Sequence, residues 1–244
     1  MKDFITGIRC YLDAHSFIFK HRLFQYLLIP GFISIFYVVV MIILGIVYMD
    51  SITSHIMMNW LPGYLQGNVM EIFLLILLWI SLFLLLFITY RHIVLAILSP
   101  FLSTLSERTE SIVKNKPALK FQLKQALKDL IRGIRINLRI MILSIIFSLL
   151  AWLLVLLPVI GAFLSLILSV VIQSYYGGFA LYDYSLERKR LSAKQSVDYI
   201  KKHRAAVTGV GLGFFILSLI PLIGWFLAPT YGTVAATLMI LEER

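Results

Sequence analysis

No aspartate, glutamate, lysine or arginine lies between Arg139 and Asp183, and none lies from Ala205 to Leu241. Each of these runs is too long for a single bilayer crossing and needs a place to fold back. Cysteine occurs once, at Cys10, which excludes an internal disulfide and every thiolate metal motif. A lone cysteine in an N-terminal helix reads as a small packing residue. The chain has no glycine-rich phosphate loop, no His-Glu-x-x-His and no Gly-x-Ser-x-Gly, and its histidines are scattered at 15, 21, 55, 92 and 203. No nucleophile, base, metal set or cofactor box can therefore be named, and no Walker lysine supports a nucleotide-driven pump. The expectation is a protein that is not an enzyme and carries no cofactor. The first 22 residues include Asp3, Arg9, Asp13, Lys20 and Arg22 without a long apolar run, which does not fit a signal peptide.

What is present is apolar. Hydrophobic residues make up 60% of the chain and the mean hydropathy is +0.92, against roughly 45–50% apolar in soluble domains. An all-α integral membrane protein is expected, with residues 1–244 forming one membrane domain. The net charge of +10 comes from basic clusters. Lys2, Arg9, Lys20 and Arg22 form the first, residues 91–139 hold the second and residues 188–204 the third; none lies between Leu23 and Tyr90. The positive-inside rule places these clusters and the N-terminus in the cytoplasm and the 50–70 loop outside.

In order, residues 1–22 predict an amphipathic helix, with Phe4, Ile8, Tyr11 and Leu12 near helical spacing, suited to the inner leaflet. Residues 23–49 and 72–98 are the transmembrane spans. Between them Trp60-Leu61-Pro62-Gly63-Tyr64 supplies a turn with interfacial aromatics, and Ser99-Pro100 is expected to break the second span. Residues 101–139 form cytoplasmic amphipathic helices. Their second part carries Lys120, Lys124, Lys128, Arg132, Arg135 and Arg139 as one basic stripe and Leu123, Leu127, Leu130 and Ile134 as an apolar one. Such a helix suits an anionic bilayer surface; its fusion to long apolar segments favours lipid headgroups over nucleic acid.

Residues 140–182 and 205–241 are two Pro/Gly-turned hairpins, folding back at Pro158-Val159-Ile160-Gly161 and at Pro221-Leu222-Ile223-Gly224, with residues 183–204 as connector. Ile140 to Leu157 would rise about 27 Å and Ala205 to Ile220 about 24 Å, short for a hydrocarbon core of about 30 Å. Both hairpins begin at basic clusters and return to polar ends, so both are expected to enter and leave on the cytoplasmic side. A turn inside the bilayer needs its backbone groups buried in protein, against the spans or another subunit.

The chain resembles the CysZ-type sulfate permeases of bacteria, which share a domain with the etoposide-induced membrane proteins of eukaryotes. The resemblance rests on Ser99-Pro100-Phe101 followed by Leu105, Glu107 and Glu110, on Pro158-Val159-Ile160-Gly161, on Tyr182-Asp183-Tyr184 with Arg188, Arg190 and Ser192, and on Ile220-Pro221-Leu222-Ile223 with Pro229 and Ala236-Thr237. It covers nearly the whole chain. It implies two full transmembrane helices plus two half-penetrating hairpins, a homo-oligomer in the bacterial inner membrane, and sulfate uptake for cysteine synthesis. The family's sulfate site lies near a Gly-Leu-Arg-like turn before the first span. The corresponding stretch here is Phe19-Lys20-His21-Arg22-Leu23, without the glycine. The resemblance makes Arg22 the main oxyanion ligand and Lys20 its helper. Arg91, Glu107, Glu110 and Asp183 become a polar network along the path or on the inner face. The alternative is a non-transporting membrane scaffold that binds lipids or partners, with the basic helix of residues 119–139 as its working part.

Overall fold

The computed structural model describes residues 2–115, 123–157, 160–189, 191–220 and 223–242; for residues 87, 88, 90–92, 123–130, 188 and 193 it describes the backbone alone. The described elements are helices: α1 (Lys2–Lys20), α2 (Gln25–Trp60), α3 (Asn68–Val113), α4 (Leu123–Trp152), α5 (Gly161–Arg188), α6 (Ala193–Lys202), α7 (Arg204–Ser218) and α8 (Ile223–Glu242). Short 3-10 turns occupy Gly63–Leu65 and Leu153–Leu156. The protein is all-α and of membrane class. Five helical stretches are long and apolar enough to cross a bilayer: Gln25–Trp60, Asn68–Leu86, Ile131–Leu156, Gly161–Glu187 and Ile223–Glu242. Three of the four hairpin arms thus qualify beside the two expected spans, and α7, with 15 residues, is shorter.

Side chains are distributed in the opposite sense to a soluble protein. Phe32, Phe36, Leu156 and Phe163 are exposed, whereas Ser34, Ser106, Thr109, Asn137, Thr230, Thr233 and Thr237 are buried. Lipid tails are as apolar as leucine, so large apolar residues can face outward while small and hydroxyl residues mediate helix packing. On α4 the buried face is Gly133, Asn137, Ile140, Ser144 and Ser148, and Ile131, Ile134, Leu138 and Ile142 point outward. The apolar stripe expected to seat this helix, including Ile134, lies on its exposed side; Lys120 falls outside the described residues, as do the side chains of Leu123, Lys124, Leu127, Lys128 and Leu130.

Outward-facing apolar surface is unevenly shared. Along α2 it runs from Leu28 to Trp60. On the first hairpin it runs through Leu156, Ile160, Phe163 and Val171, and α5 is then mostly buried from Gln173 to Glu187. On the second hairpin it is confined to the tip, at Ile216, Leu219, Ile220 and Ile223, while α8 is buried from Ala228 to Ala236. Cross-contacts set the register. Cys10 Sγ meets Met239 Sδ at 3.7 Å, His15 Nδ1 meets the Tyr231 hydroxyl at 2.8 Å, Thr230 donates to the Tyr26 carbonyl at 2.7 Å, and Ser34 donates to the Trp225 carbonyl at 3.4 Å. The chain therefore climbs α8 from its last turn to its first as it passes from α1 into α2. Trp225, close to the hairpin tip, stands beside Ser34, about 14 Å along α2 from Gln25.

α1 is fastened into the protein. Its buried residues Gly7, Cys10, Ala14 and Ile18 recur at helical spacing, and Ile5, Leu12 and Phe19 line an exposed apolar side available to lipid. The Tyr11 hydroxyl donates to the Val210 carbonyl at 2.8 Å. Burial, reinforced by the neighbouring Cys10, pushes this phenol well above its ordinary pKa, so it stays a donor.

Other boundaries differ from the sequence reading. α2 runs on to Trp60, past the span end expected at residue 49. α3 continues through Ser99-Pro100 to Val113, so the expected break is absent. Proline removes one helical bond, but Leu95, Leu98, Leu102 and Leu105 are all buried and hold both sides of it. α5 continues past Tyr182 to Arg188, because Asp183 and Glu187 are buried against Arg132 rather than released into a connector. Pro158, Val159, Pro221 and Leu222, which mark the two turns, lie outside the described residues.

α5 and α7 approach at glycines. A Cβ on Gly178 would strike the Val207 carbonyl, and one on Gly211 would strike the Ser174 carbonyl and the Gly178 amide. These neighbours are backbone atoms of packed helices and cannot rotate away. Gly178→Leu and Gly211→Leu should each lower stability by about 1–3 kcal/mol or more, read as a lower melting temperature in detergent, while Gly63→Leu, where no neighbour is within reach, should change little.

Candidate functional site

The link between α1 and α2 is built by a Schellman motif. Leu23 N–H donates to the Ile18 carbonyl at 2.9 Å and Arg22 N–H to the Phe19 carbonyl at 3.3 Å. Arg22 occupies the left-handed position, with φ of 54°, where glycine is the usual residue. The accompanying apolar contact comes from Ile18 and Leu23, which are both buried. Burial of Leu23 on one side leaves the Arg22 and Lys20 side chains exposed on the other. His21, between them, packs its ring on Phe17 at 4.5 Å. Tyr26 and Leu27 N–H groups are already donated to Leu23 and Phe24. Among the described backbone bonds the N–H groups of Phe24 and Gln25, which follow the two cations in the chain, are not engaged.

A second polar centre sits among α4, α5 and α6. One Arg132 nitrogen lies 3.3 Å from Asp183 Oδ1, donates to the Leu191 carbonyl at 3.3 Å and to Ser196 Oγ at 3.1 Å; the other lies 3.2 Å from Glu187 Oε1. Both carboxylates are buried. They share a face because they are four residues apart on α5. Ser196 is held by α6, whose start is a capping box between Ser192 and Gln195. Sequence reasoning placed Arg132 in the lipid-facing basic stripe. The signal that could have separated it was the Asp183/Glu187 spacing, which needs a cation.

Between α3, α5 and α8 lies a cluster of hydroxyls. Ser106 Oγ is 2.7 Å from Ser185 Oγ and 2.8 Å from Thr237 Oγ1, and Ser185 is 3.1 Å from Thr237. Thr237 in turn donates to the Thr233 carbonyl at 2.7 Å. All are buried. This cluster was not foreseen, because serine and threonine in an apolar run carry no pattern that separates packing from function.

Of the remaining expected residues, Glu110 pairs with Lys114 one turn along α3, and Glu107 is half-buried on the same helix. The side chain of Arg91 lies outside the described residues. Asp183 is thus joined to Arg132, Glu110 to Lys114, and Lys20 to Arg22 through one turn. Among the described residues no group of histidine, cysteine, aspartate and glutamate could hold a metal ion.

A family model described as sulfate transporter CysZ/etoposide-induced protein 2.4 matches residues 10–229. A comparison with curated proteins gives no match.

Removing Arg132 would take from two buried carboxylates the guanidinium that faces both of them. Arg132→Met should destabilise the protein by about 3–5 kcal/mol, measured as unfolding in detergent. Adding Asp183→Asn and Glu187→Gln to that variant should restore much of the loss.

Proposed function

The chain belongs to the sulfate transporter CysZ/etoposide-induced protein 2.4 family, and from that premise we propose that it is a membrane permease for a small inorganic oxyanion, sulfate foremost, supplying cysteine synthesis. The observation that carries this reading is the left-handed turn at Arg22. It holds Arg22 and Lys20 exposed at the start of a membrane helix that is uncharged as far as Met49, just before the unengaged N–H groups of Phe24 and Gln25 in the chain. A guanidinium can take two oxygens of a tetrahedral anion, an ammonium a third, and a helix start favours negative charge. In this reading Arg22 is the main ligand and Lys20 its helper.

Beyond capture, an anion entering the protein must lose water to neutral donors. The hydroxyls of Ser106, Ser185 and Thr237 are of that kind. Asp183 and Glu187 would repel an anion, and Arg132 offsets them. We assign Arg91, Glu107, Glu110 and Asp183, with Arg132, to a polar network that lines or gates the path. The hairpins are read as half-inserted: the tip of the second stands near Ser34, well short of Trp60, and its exposed apolar surface is confined to that tip. The basic clusters then lie on the cytoplasmic side of a bacterial inner membrane. The exposed apolar surface of α2 and α3 suits packing in a homo-oligomer.

Proteoliposomes bearing the protein should take up radiolabelled sulfate saturably. Arg22→Gly keeps a residue suited to the left-handed backbone while removing the charge. Combined with Lys20→Ala it should reduce uptake at subsaturating sulfate by about tenfold or more, the loss of a charged hydrogen bond. Undiminished uptake would remove Arg22 and Lys20 from the site. Absence of flux in folded, oriented wild-type protein would turn the reading to a non-transporting scaffold.

A further inference from the structure

At the foot of the first hairpin, α4, α5 and α6 enclose a cleft of about 220 Å³. Its walls are Tyr175, Tyr176 and Phe179 from α5 and Ile140 and Leu143 from α4, and its cations are Arg139 from α4 and Lys201 from α6. Among the described residues no carboxylate lines it. Arg204, at the start of α7, lies near enough for its charge to act on Tyr175. The two lining cations come from separate elements yet meet at one cavity, and both are exposed, with no salt bridge to either among the described residues.

The position is as informative as the composition. Arg139 is the last charged residue before the long uncharged run, so it marks the level at which α4 leaves the polar zone. From there an apolar track leads toward the hairpin tip: Leu143 lines the cleft, and Phe147, which is exposed, stacks on Tyr176 with ring centroids 6.3 Å apart. Tyrosines at the boundary between headgroup and hydrocarbon suit an amphiphile. A bare oxyanion would gain from the cations and nothing from the aromatic and aliphatic walls. A molecule with a phosphate at one end and a hydrocarbon chain at the other uses both.

We propose that this cleft binds one anionic phospholipid, with its phosphate between Arg139 and Lys201 and the beginning of an acyl chain along Leu143, Tyr176 and Phe147. The site shares no residue with the Arg22 turn and goes beyond the transport reading.

The test uses the full chain in detergent, titrated with phosphatidylglycerol or phosphatidylcholine and followed by native mass spectrometry. Wild-type protein should take up one phosphatidylglycerol ahead of any further lipid and prefer it over phosphatidylcholine. Replacing Arg139→Gln and Lys201→Gln together should reduce that preference by at least about tenfold, since each basic residue near an anionic surface contributes appreciably. Lys2→Gln with Arg9→Gln removes the same charge from α1 and should leave the preference within about twofold. If the cleft pair does not fold, judged by helix content and gel filtration, Lys201→Gln alone should still show a several-fold loss. The proposal is overturned if wild-type protein shows no preference, or if the α1 pair costs as much as the cleft pair. It is equally overturned if millimolar inorganic sulfate or phosphate displaces the lipid, which would make the cleft a small-anion site. Arg22→Gly should leave lipid preference intact whatever it does to sulfate flux, so the two readings fail separately.

Discussion

The approach of α5 to α7 at Gly178 and Gly211 is the constraint on which the fold depends. In hydrocarbon, apolar side chains gain little by leaving lipid for one another, so helices associate where backbones come close. Here each glycine sits against main-chain atoms of the facing helix. That contact joins the returning arm of the first hairpin to the entering arm of the second. α1 is then laid along α7 by the same device, with Gly7 against the Ala206 carbonyl and Gly209 against Phe4. Once α1 is fixed, so is the turn that carries Lys20 and Arg22.

A core assembled this way has room for polar groups, provided each is answered. Arg132 answers two carboxylates and reaches α6 through Ser196 and the Leu191 carbonyl. Its removal is costly because the carboxylates cannot reach water, whereas a matched apolar replacement of the whole set need not be. The arginine acts as a joint: it fixes where the first hairpin ends and where helix α6 sits, and so positions one wall of the Arg139–Lys201 cleft.

The fold class was legible because uncharged runs and basic clusters are long-range signals that survive local ambiguity. The α1 helix was legible from the spacing of its apolar residues. The reading failed where tertiary packing overrode a local rule. Pro100 breaks no helix, because buried leucines hold both sides of it. Ile134 faces outward, because the packed face of α4 is made mostly of glycine, asparagine and serine, with Ile140 among them. Arg132 could not be told from Arg135 by spacing, since only the partner on α5 separates them. In the turn at residues 20–23, the cations were visible in sequence. The left-handed backbone of Arg22 was not, because arginine gives no local indication of it.

The hydroxyl cluster of Ser106, Ser185 and Thr237 contains fewer protons than contacts. Three hydroxyls carry three hydrogens, yet they make three close approaches to one another and a fourth to the Thr233 carbonyl. At any instant at least one approach has no hydrogen in it, and more than one assignment satisfies the rest. The cluster is therefore a set of rotors with interchangeable donor patterns rather than a single locked network. It can turn its dipoles toward a charge without moving any heavy atom, which gives this interior a polarisability its hydrocarbon exterior lacks.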